Sequence, residues 1–231
     1  MMNWDKKILQ EFKWNTEIEN KEEKQKLAVK VASLVKDGEV IGFGSGSTSF
    51  LAAYAIADRM KKENIKITAI PTSNEIKLLC CSLNIPTTSL LEQRPDWCFD
   101  GADEVDKNNW LIKGRGAAMF KEKLNIANSK KTFILVDKSK FVSNLGEKHY
   151  IPVECFPIAI NYIKEELYKL GAKEIILRKA IAKDGHIITE NGNFILDIKF
   201  EKIHKDLEKQ IKLIPGVIET GLFIDYNIQI L

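Results

Sequence analysis

The chain has 231 residues, of which 45% are hydrophobic, so it can bury a substantial core as one large domain or two smaller ones, and disorder is excluded. Its 35 Lys and Arg residues against 32 acidic residues give a net charge of +3. That value excludes the concentrated basic surface of a nucleic-acid-binding protein but is compatible with a small anionic ligand. No stretch approaches the roughly 20 apolar residues that span a bilayer, and the start lacks an apolar signal segment, so we expect neither a membrane protein nor a secreted one.

The four cysteines, Cys80, Cys81, Cys98 and Cys155, form no C-x-x-C pair and have no histidine at zinc-finger spacing. We therefore expect no metal site built from them. Adjacent thiols in an apolar run favour a reducing compartment, which predicts a cytoplasmic protein. The acidic residues among the first twenty argue against a transit peptide, and this segment is predicted to be a partly helical extension.

The first half of the chain alternates predicted helices and strands. A helix capped by Asn20 carries apolar residues at helical spacing and ends at Gly38. Strands are predicted over 39–43, 65–70, 97–99 and 132–136, and further helices over 48–60, 74–83 and 117–127. This alternation predicts a parallel sheet with helices on both faces, where ligands bind beyond the carboxyl ends of the strands.

From Tyr150 the pattern changes to that of an α+β module. Strands are predicted up to Cys155 and over 174–182, 186–189, 193–200 and 217–223, and helices over 158–170 and near 202–213. Asp184-Gly185 and Asn191-Gly192 are hairpin signals. The predicted fold class is α/β, a Rossmann-like doubly wound sheet with a smaller α+β, ferredoxin-like domain. The predicted domains are 1–149 plus 225–231, with 1–19 as the extension, and 150–224.

The loop after the first strand, Gly42-Phe43-Gly44-Ser45-Gly46-Ser47-Thr48, offers backbone N–H groups and hydroxyls at the start of a helix, which suits a phosphate. It matches neither the dinucleotide fingerprint G-x-G-x-x-G nor the P-loop. A tight turn without a ligand remains the alternative.

The second unusual loop, Asp100-Gly101-Ala102-Asp103-Glu104-Val105-Asp106, holds four acids in seven residues. Carboxylates crowd in this way where they bind a cation or sugar hydroxyls, or where they face solvent. The spacing is not that of an EF-hand. A magnesium site, a polyol site and a solvated turn all remain open.

Two basic loops follow. The third loop runs from Lys113 to Lys123, where glycines 114 and 116 free the backbone to approach a ligand and Glu122 lies early in a helix. In the fourth, Lys140 follows a predicted strand and could give a phosphate a positive charge. Taken alone, Glu122 and Lys140 are equally typical of solvated surface residues.

These four loops, followed by Leu145-Gly146, Pro152-Val153-Glu154, Asn191-Gly192-Asn193, Pro215-Gly216-Val217 and Gly221-Leu222-Phe223, resemble the ribose-5-phosphate isomerase type A family over nearly the whole chain. The resemblance implies reversible conversion of D-ribose 5-phosphate to D-ribulose 5-phosphate in the non-oxidative pentose phosphate pathway, with no cofactor and no metal. It implies that Glu122 is the base and that Asp100, Asp103 and Lys113 assist it. The implied substrate-binding residues are Ser45, Gly46, Ser47, Thr48, Gly101, Ala102, Gly114, Arg115, Gly116, Lys140 and Lys24.

The implied reaction suits these residue types. One base can remove the carbon-bound proton beside a carbonyl and return it to the neighbouring carbon through a cis-enediolate. We expect partial burial to raise the pKa of its carboxyl group, and we expect Lys113 with the N–H groups of 114–116 to stabilise the oxyanion. Arg115 stands where many relatives have a third glycine, and the chain stops at Leu231, sooner than the resemblance leads us to expect.

Two other classes remain as alternatives. A sugar-phosphate-sensing regulator could bind a similar ligand without turnover, although no helix-turn-helix precedes the first domain. A related enzyme, such as an amino-sugar phosphate deaminase or a coenzyme A transferase, could share the fold. Family analogy suggests a homodimer or homotetramer, with a sugar phosphate as the small-molecule partner and with neither nucleic acid nor membrane involved.

Overall fold

The structure is a computed structural model that describes residues 13–14, 16–181 and 183–231. These residues form two compact units. Unit 1 contains the described residues up to Gly101, together with Leu124–Asp137 and Asn227–Leu231, and unit 2 contains Ala102–Lys123 and Lys138–Tyr226. The domain boundaries drawn from the sequence, 1–149 plus 225–231 and 150–224, stay a prediction.

Unit 1 is built on a five-stranded parallel sheet in the order β12-β6-β3-β1-β2. Its strands are β1 (Val40–Phe43), β2 (Thr68–Pro71), β3 (Trp97–Asp100), β6 (Thr132–Ile134) and β12 (Ile228–Ile230). Its helices are α1 (Lys21–Ala32), α2 (Ser47–Glu63) and α3 (Asn74–Ser82), while α4 (Met119–Asn128) has residues in both units. The predicted parallel α/β architecture is confirmed.

Unit 2 contains two antiparallel sheets. The larger has the order β10-β7-β9-β8, from β7 (Ile151–Cys155), β8 (Ala172–Leu177), β9 (Phe194–Phe200) and β10 (Val217–Thr220). The smaller has the order β11-β5-β4, from β4 (Glu104–Val105), β5 (Leu111–Ile112) and β11 (Leu222–Phe223). Helices α5 (Ile160–Lys169) and α6 (Leu207–Lys212) and two 3₁₀ turns, Lys138–Lys140 and Pro157–Ala159, complete the unit.

Each unit has its own apolar core. In unit 1 the rings of Phe43 and Phe99, on neighbouring strands, lie 4.8 Å apart, and both side chains are fully buried. In unit 2, Ile163 and Leu167 stand one turn apart on α5, and both are buried in the cluster that contains Val153 of β7. Burial of such side chains contributes about 1.5–3 kcal/mol each, which is what holds the strand ends in place.

Several local predictions were wrong. Asn20 has a φ of +51° and makes no side-chain capping hydrogen bond, and α1 ends at Ala32 rather than at Gly38. The predicted strand over 186–189 is reduced to a single bridge between Lys179 and His186. The extension predicted over the first twenty residues lies mostly outside the described residues.

Within the described part of the chain, none of the helices combines the length and apolar character that crossing a membrane requires.

Candidate active site

The loop after β1 is shaped by a close approach to β3 within unit 1. Gly44 donates its N–H to the carbonyl of Phe99 at 2.8 Å. A Cβ at position 44 would lie 2.6 Å from the Asp100 Cα and 2.2 Å from its Oδ1, distances that real Cβ atoms essentially never show. Glycine is therefore required here so that the buried Asp100 side chain can lie beside the loop.

The same loop delivers hydroxyl groups to the beginning of α2. Gly46 precedes the helix with a φ of +91°, and Lys24 donates to the Ser47 hydroxyl at 3.3 Å. The Ser45 hydroxyl lies 2.8 Å from that of Thr72 and 2.9 Å from that of Ser73. Because the first N–H groups of a helix have no acceptor within the helix, this position combines hydroxyls, N–H groups and a buried lysine. These are groups that can bind a phosphate.

Asp100 ends β3 and is only 2% exposed. Its Oδ1 accepts the N–H of Gly101 at 2.8 Å, and its backbone carbonyl accepts the N–H of Leu135 at 2.7 Å. The carboxylate is thus fixed where a parallel strand ends, the position at which ligands bind in such sheets.

The remaining acids of the second loop belong to unit 2 and have different roles. The buried Glu104 carboxylate accepts three backbone N–H groups, from Gly146, Lys148 and His149, each at 2.6 Å. Asp106 Oδ1 accepts the N–H groups of residues 108 and 110. These two acids therefore serve the fold, and their contacts do not support the alternative of a simple solvated turn at Glu104, which is buried.

Asp103 is the acid of this loop that contacts a glycine-rich segment. Its Oδ2 accepts the N–H of Arg115 at 3.2 Å. Within residues 13–14, 16–181 and 183–231, no three His, Cys, Asp or Glu side chains converge as a metal ion requires.

The third loop contains a buried pair of opposite charges in unit 2. Lys113 Nζ lies 3.3 Å from Glu122 Oε2, and their side chains are 3% and 6% exposed. Lys113 follows β5 and donates its N–H to the Gly221 carbonyl at 2.9 Å, while its Nζ lies 5.7 Å from the Phe223 ring centroid. A carboxylate and an ammonium held in one dry place can transfer a proton and stabilise an oxyanion.

The lysines on either side of Glu122 do not share this environment. Lys121 forms an ion pair with Glu190 and is partly exposed. Lys123 is buried, where it donates to Glu208, Glu219 and the carbonyls of residues 220 and 222. The interpretation of Glu122 as a solvated helix residue is therefore wrong.

The segment that joins Lys113 to α4 has an unusual backbone. Gly114 has a φ of +95°, and a Cβ there would lie 2.8 Å from Met119 Cε. Ala117 has a φ of +62°, which is rare for a residue with a Cβ, and its N–H donates to the Gly114 carbonyl at 2.9 Å. Strained backbone of this kind persists where the surroundings hold it, and it concentrates at functional sites.

Comparison with known proteins decides the family. A sequence model described as ribose 5-phosphate isomerase A (phosphoriboisomerase A) matches residues 68–231. The chain belongs to the ribose-5-phosphate isomerase A family. It is 43% identical over 211 residues to ribose-5-phosphate isomerase A 1 of Oceanobacillus iheyensis, which covers 89% of this chain and 92% of that relative. Members of this family are aldose–ketose isomerases, and the resemblance drawn from the four loops is confirmed.

Solved structures agree with the sequence comparison. Ribose 5-phosphate isomerase A from Methanocaldococcus jannaschii superposes with a TM-score of 0.88 at 40% identity, covering 91% of this chain and 95% of that one. A structure described as D-ribose-5-phosphate isomerase in complex with phospho-erythronic acid also has a TM-score of 0.88, at 39% identity, covering 92% and 95%.

The predicted site residues are distributed over both units. Unit 1 carries Lys24, Ser45, Gly46, Ser47, Thr48, Asp100 and Gly101, and unit 2 carries Ala102, Asp103, Lys113, Gly114, Arg115, Gly116, Glu122 and Lys140. The structure brings together Lys24 with Ser47, and Lys113 with Glu122. Lys140 is half-buried in the 3₁₀ turn Lys138–Lys140.

Sequence reasoning missed three polar residues that contact this machinery: Thr72, Ser73 and Arg178. Thr72 and Ser73 follow β2, so the rule that loops after parallel strands carry function would have identified them. Arg178 donates to the carbonyls of Gly114 and Arg115. No local signal in the sequence links it to a segment more than sixty positions earlier.

Proposed function

We propose that this chain interconverts D-ribose 5-phosphate and D-ribulose 5-phosphate through a cis-enediolate, with Glu122 as the base. The observation that carries the proposal is the buried pair of Lys113 and Glu122, 3.3 Å apart. Burial removes the water that would otherwise weaken both the carboxylate as a base and the ammonium as a stabilising charge.

The proton path needs one carboxylate. In the opened aldose, Glu122 takes the C2 proton, the C–H electrons form a C1=C2 bond, and the carbonyl electrons move to O1. A proton then passes from O2 to O1, Glu122 returns its proton to C1, and C2 becomes the carbonyl. The carboxylate is regenerated, so no external acid, base or redox partner is consumed.

The negative charge on the enediolate oxygens has to be stabilised. Lys113 supplies a buried positive charge, and the glycine-rich segment 114–116 is proposed to supply N–H groups other than that of Arg115, which donates to Asp103. General-base action contributes about 10²–10⁴-fold, so this electrostatic contribution has to supply much of the remaining acceleration. Asp100, Gly101, Ala102 and Asp103 are proposed to hold sugar oxygens and to assist ring opening.

The phosphate is proposed to bind Ser45, Gly46, Ser47 and Thr48 with Lys24 and Lys140. The contact of Lys24 with Ser47 supports a common role for these two residues. Arg115 is proposed to contact substrate through its guanidinium group, since its N–H donates to Asp103 and its carbonyl accepts from Arg178.

Relatives support the same chemistry. Their names give ribose-5-phosphate isomerase, and one related structure holds phospho-erythronic acid, a hydroxy acid that carries a phosphate. The two oxygens of its planar carboxylate resemble those of a cis-enediolate. The pentose phosphate pathway, the cytoplasm and a homodimer or homotetramer remain predictions that go with this function.

The test replaces Glu122 by glutamine, which keeps the shape but cannot accept a proton. We expect kcat for ketose formation from ribose 5-phosphate to fall by at least about 10²-fold, the lower limit of general-base catalysis, with KM little changed. Glu63→Gln, which removes an exposed carboxylate paired with Arg59 on α2, is the matched control and should keep full activity.

A Glu122→Gln variant that is folded and works at the wild-type rate would refute the assignment of the base. A wild-type protein that binds ribose 5-phosphate and forms no ketose would instead identify a sugar-phosphate sensor.

A further inference from the structure

A guanidinium group in unit 2 links the larger antiparallel sheet to the loop that follows Lys113. Arg178 comes directly after β8 and pairs with Asp197 of β9, with Nε 2.7 Å from Oδ2 and Nη2 bonded to Oδ1. The two side chains are 16% and 19% exposed. This two-point pairing fixes the plane of the guanidinium on the sheet.

The third nitrogen of the same group points at the loop. Arg178 Nη1 donates to the carbonyl of Arg115 at 2.8 Å and to that of Gly114 at 3.2 Å. Only arginine offers enough N–H donors in a rigid fork to bind a carboxylate and two carbonyls together.

These two carbonyls determine where the neighbouring N–H groups point. In a trans peptide the C=O and the following N–H point in opposite directions within one plane. The Gly114 carbonyl faces Arg178, and the N–H of the same peptide, that of Arg115, donates to Asp103 Oδ2. By the same geometry, the Arg115 carbonyl bound to Arg178 directs the Gly116 N–H away from Arg178.

The loop needs such support because its backbone is strained. Gly114 and Ala117 have φ values of +95° and +62°. The left-handed conformation is rare for a residue with a Cβ and persists only where the surrounding structure holds it, while glycine adopts either sign of φ and so does not by itself fix the peptide beside it.

We propose that Arg178, fixed by Asp197, is a positioning residue that locks the Arg115–Gly116 peptide so that its N–H stays available to the enediolate oxygen. The inference rests on the proposed isomerase function, since it gives a role to that N–H in the transition state. Arg178 itself acts only through the loop.

The experiment compares wild-type protein with Arg178→Lys in the ketose-formation assay. The lysine keeps a positive charge beside Asp197 but cannot reach both carbonyls as well. We expect kcat to fall between about 10-fold and about 100-fold, because a misplaced donor costs that much, while KM stays within about three-fold. The thermal unfolding midpoint should remain close to that of the wild type.

The matched control is Lys173→Gln. Lys173 lies on β8, the strand that ends just before Arg178. Its Nζ lies 3.0 Å from a carboxylate oxygen of Glu201, and both side chains are exposed. It touches neither Gly114 nor Arg115 in any described hydrogen bond or ion pair, so its variant should keep the wild-type kcat and KM.

Wild-type kcat in folded Arg178→Lys overturns the inference, and so does a rise in KM that accounts for the whole loss of kcat/KM. If Arg178→Lys does not fold, Asp197→Asn replaces it, because that variant leaves the guanidinium present but no longer fixed by a charge. An unchanged kcat in Asp197→Asn then overturns the inference.

Failure of this inference differs from failure of the proposed function. A wild-type protein without isomerase activity would refute the proposed function. An active wild type with an equally active variant would refute only the role of Arg178.

Discussion

Lys121, Glu122 and Lys123 are consecutive in the chain, yet each has a different environment. Successive helical positions point about 100° apart, so three neighbours on α4 face three directions. Lys121 faces Glu190 near the surface, Glu122 faces Lys113, and Lys123 enters a buried polar network. Charged neighbours in the sequence therefore do not show whether a carboxylate on a helix is solvated. Its solvation depends on the residues that it contacts in the folded protein.

Replacing Lys140 by alanine tests the phosphate role at the level of one residue. A charge that binds the phosphate equally in the ground state and the transition state contributes to binding alone, so we expect KM to rise about 10-fold and kcat to change less than about three-fold. Initial rates over a range of ribose 5-phosphate concentrations give both constants.

Lys138→Ala is the control for Lys140, since Lys138 belongs to the same 3₁₀ turn and is exposed. An unchanged KM for Lys140→Ala would count against its phosphate role.

Residues that carry a local signal could be predicted, and those that act through a distant partner could not. Gly44 and Gly114 stand out because only glycine tolerates the observed close approaches, at Asp100 and at Met119. The burial of Glu122 could be expected only from the family resemblance. Arg178 looks like an ordinary arginine within the predicted strand 174–182, because nothing local shows that it bonds residue 115.

Among the elements, the short ribbon of β4 and β5 includes part of the acidic loop, and its Glu104 has a structural role. Each strand has two residues, and Glu104 of β4 accepts three N–H groups of the segment 146–149. A carboxylate that satisfies three backbone donors stabilises a fold, because each buried donor left unsatisfied costs about 1–3 kcal/mol. Two acids of this loop are thus structural, and the other two, Asp100 and Asp103, are those proposed to contact substrate.

The engagement of Glu104 and Asp106 by backbone N–H groups leads to a prediction about metal removal. These carboxylates already accept backbone N–H groups, and Lys113 is proposed to supply the positive charge that a cation would otherwise provide. We expect ketose formation in EDTA to proceed at the same rate as in added Mg²⁺. Activity that is lost in EDTA and restored by Mg²⁺ would show that the acidic loop binds a cation.

The sequence predicted the long elements better than the short ones. The helices predicted at 48–60 and 158–170 and the strand predicted at 193–200 lie within about three residues of α2, α5 and β9, since a longer run shows its apolar period over more positions. The ribbon of β4 and β5 was missed, because two-residue strands have no periodicity to detect. The run 186–189 is β-rich but forms one bridge only, since β8 and β9 already pair with each other.

At the level of the whole molecule, each unit contains a buried cysteine in its own core. Cys80 packs in the core of unit 1 and Cys155 in that of unit 2, and both are fully buried. Burial raises the pKa of the Cys80 thiol from 9.0 to about 12 and that of the Cys155 thiol to about 11. Because only the thiolate reacts readily, both thiols are protected by burial and by protonation.

Alkylation should therefore report the unfolding of each unit. At pH 8 we expect iodoacetamide to label the half-buried Cys81 and to leave Cys80 and Cys155 unlabelled, as measured by peptide mass mapping. Raised folded-state pKa values contribute stability that is present below about pH 9 and is lost as the pH rises towards 11. Labelling of Cys80 or Cys155 in native protein at pH 8 would contradict this burial, and urea should expose both of these thiols as a positive control.

The parallel pairing of β12 with β6 has a consequence for protein synthesis. Residues 228–230 form their strand only after all of 138–226 have left the ribosome, so the outer edge of β6 has no neighbour during that interval. An open strand edge invites pairing with other nascent chains. The growing polypeptide is accordingly vulnerable to aggregation at the edge of β6 until residues 228–230 have emerged and paired with it.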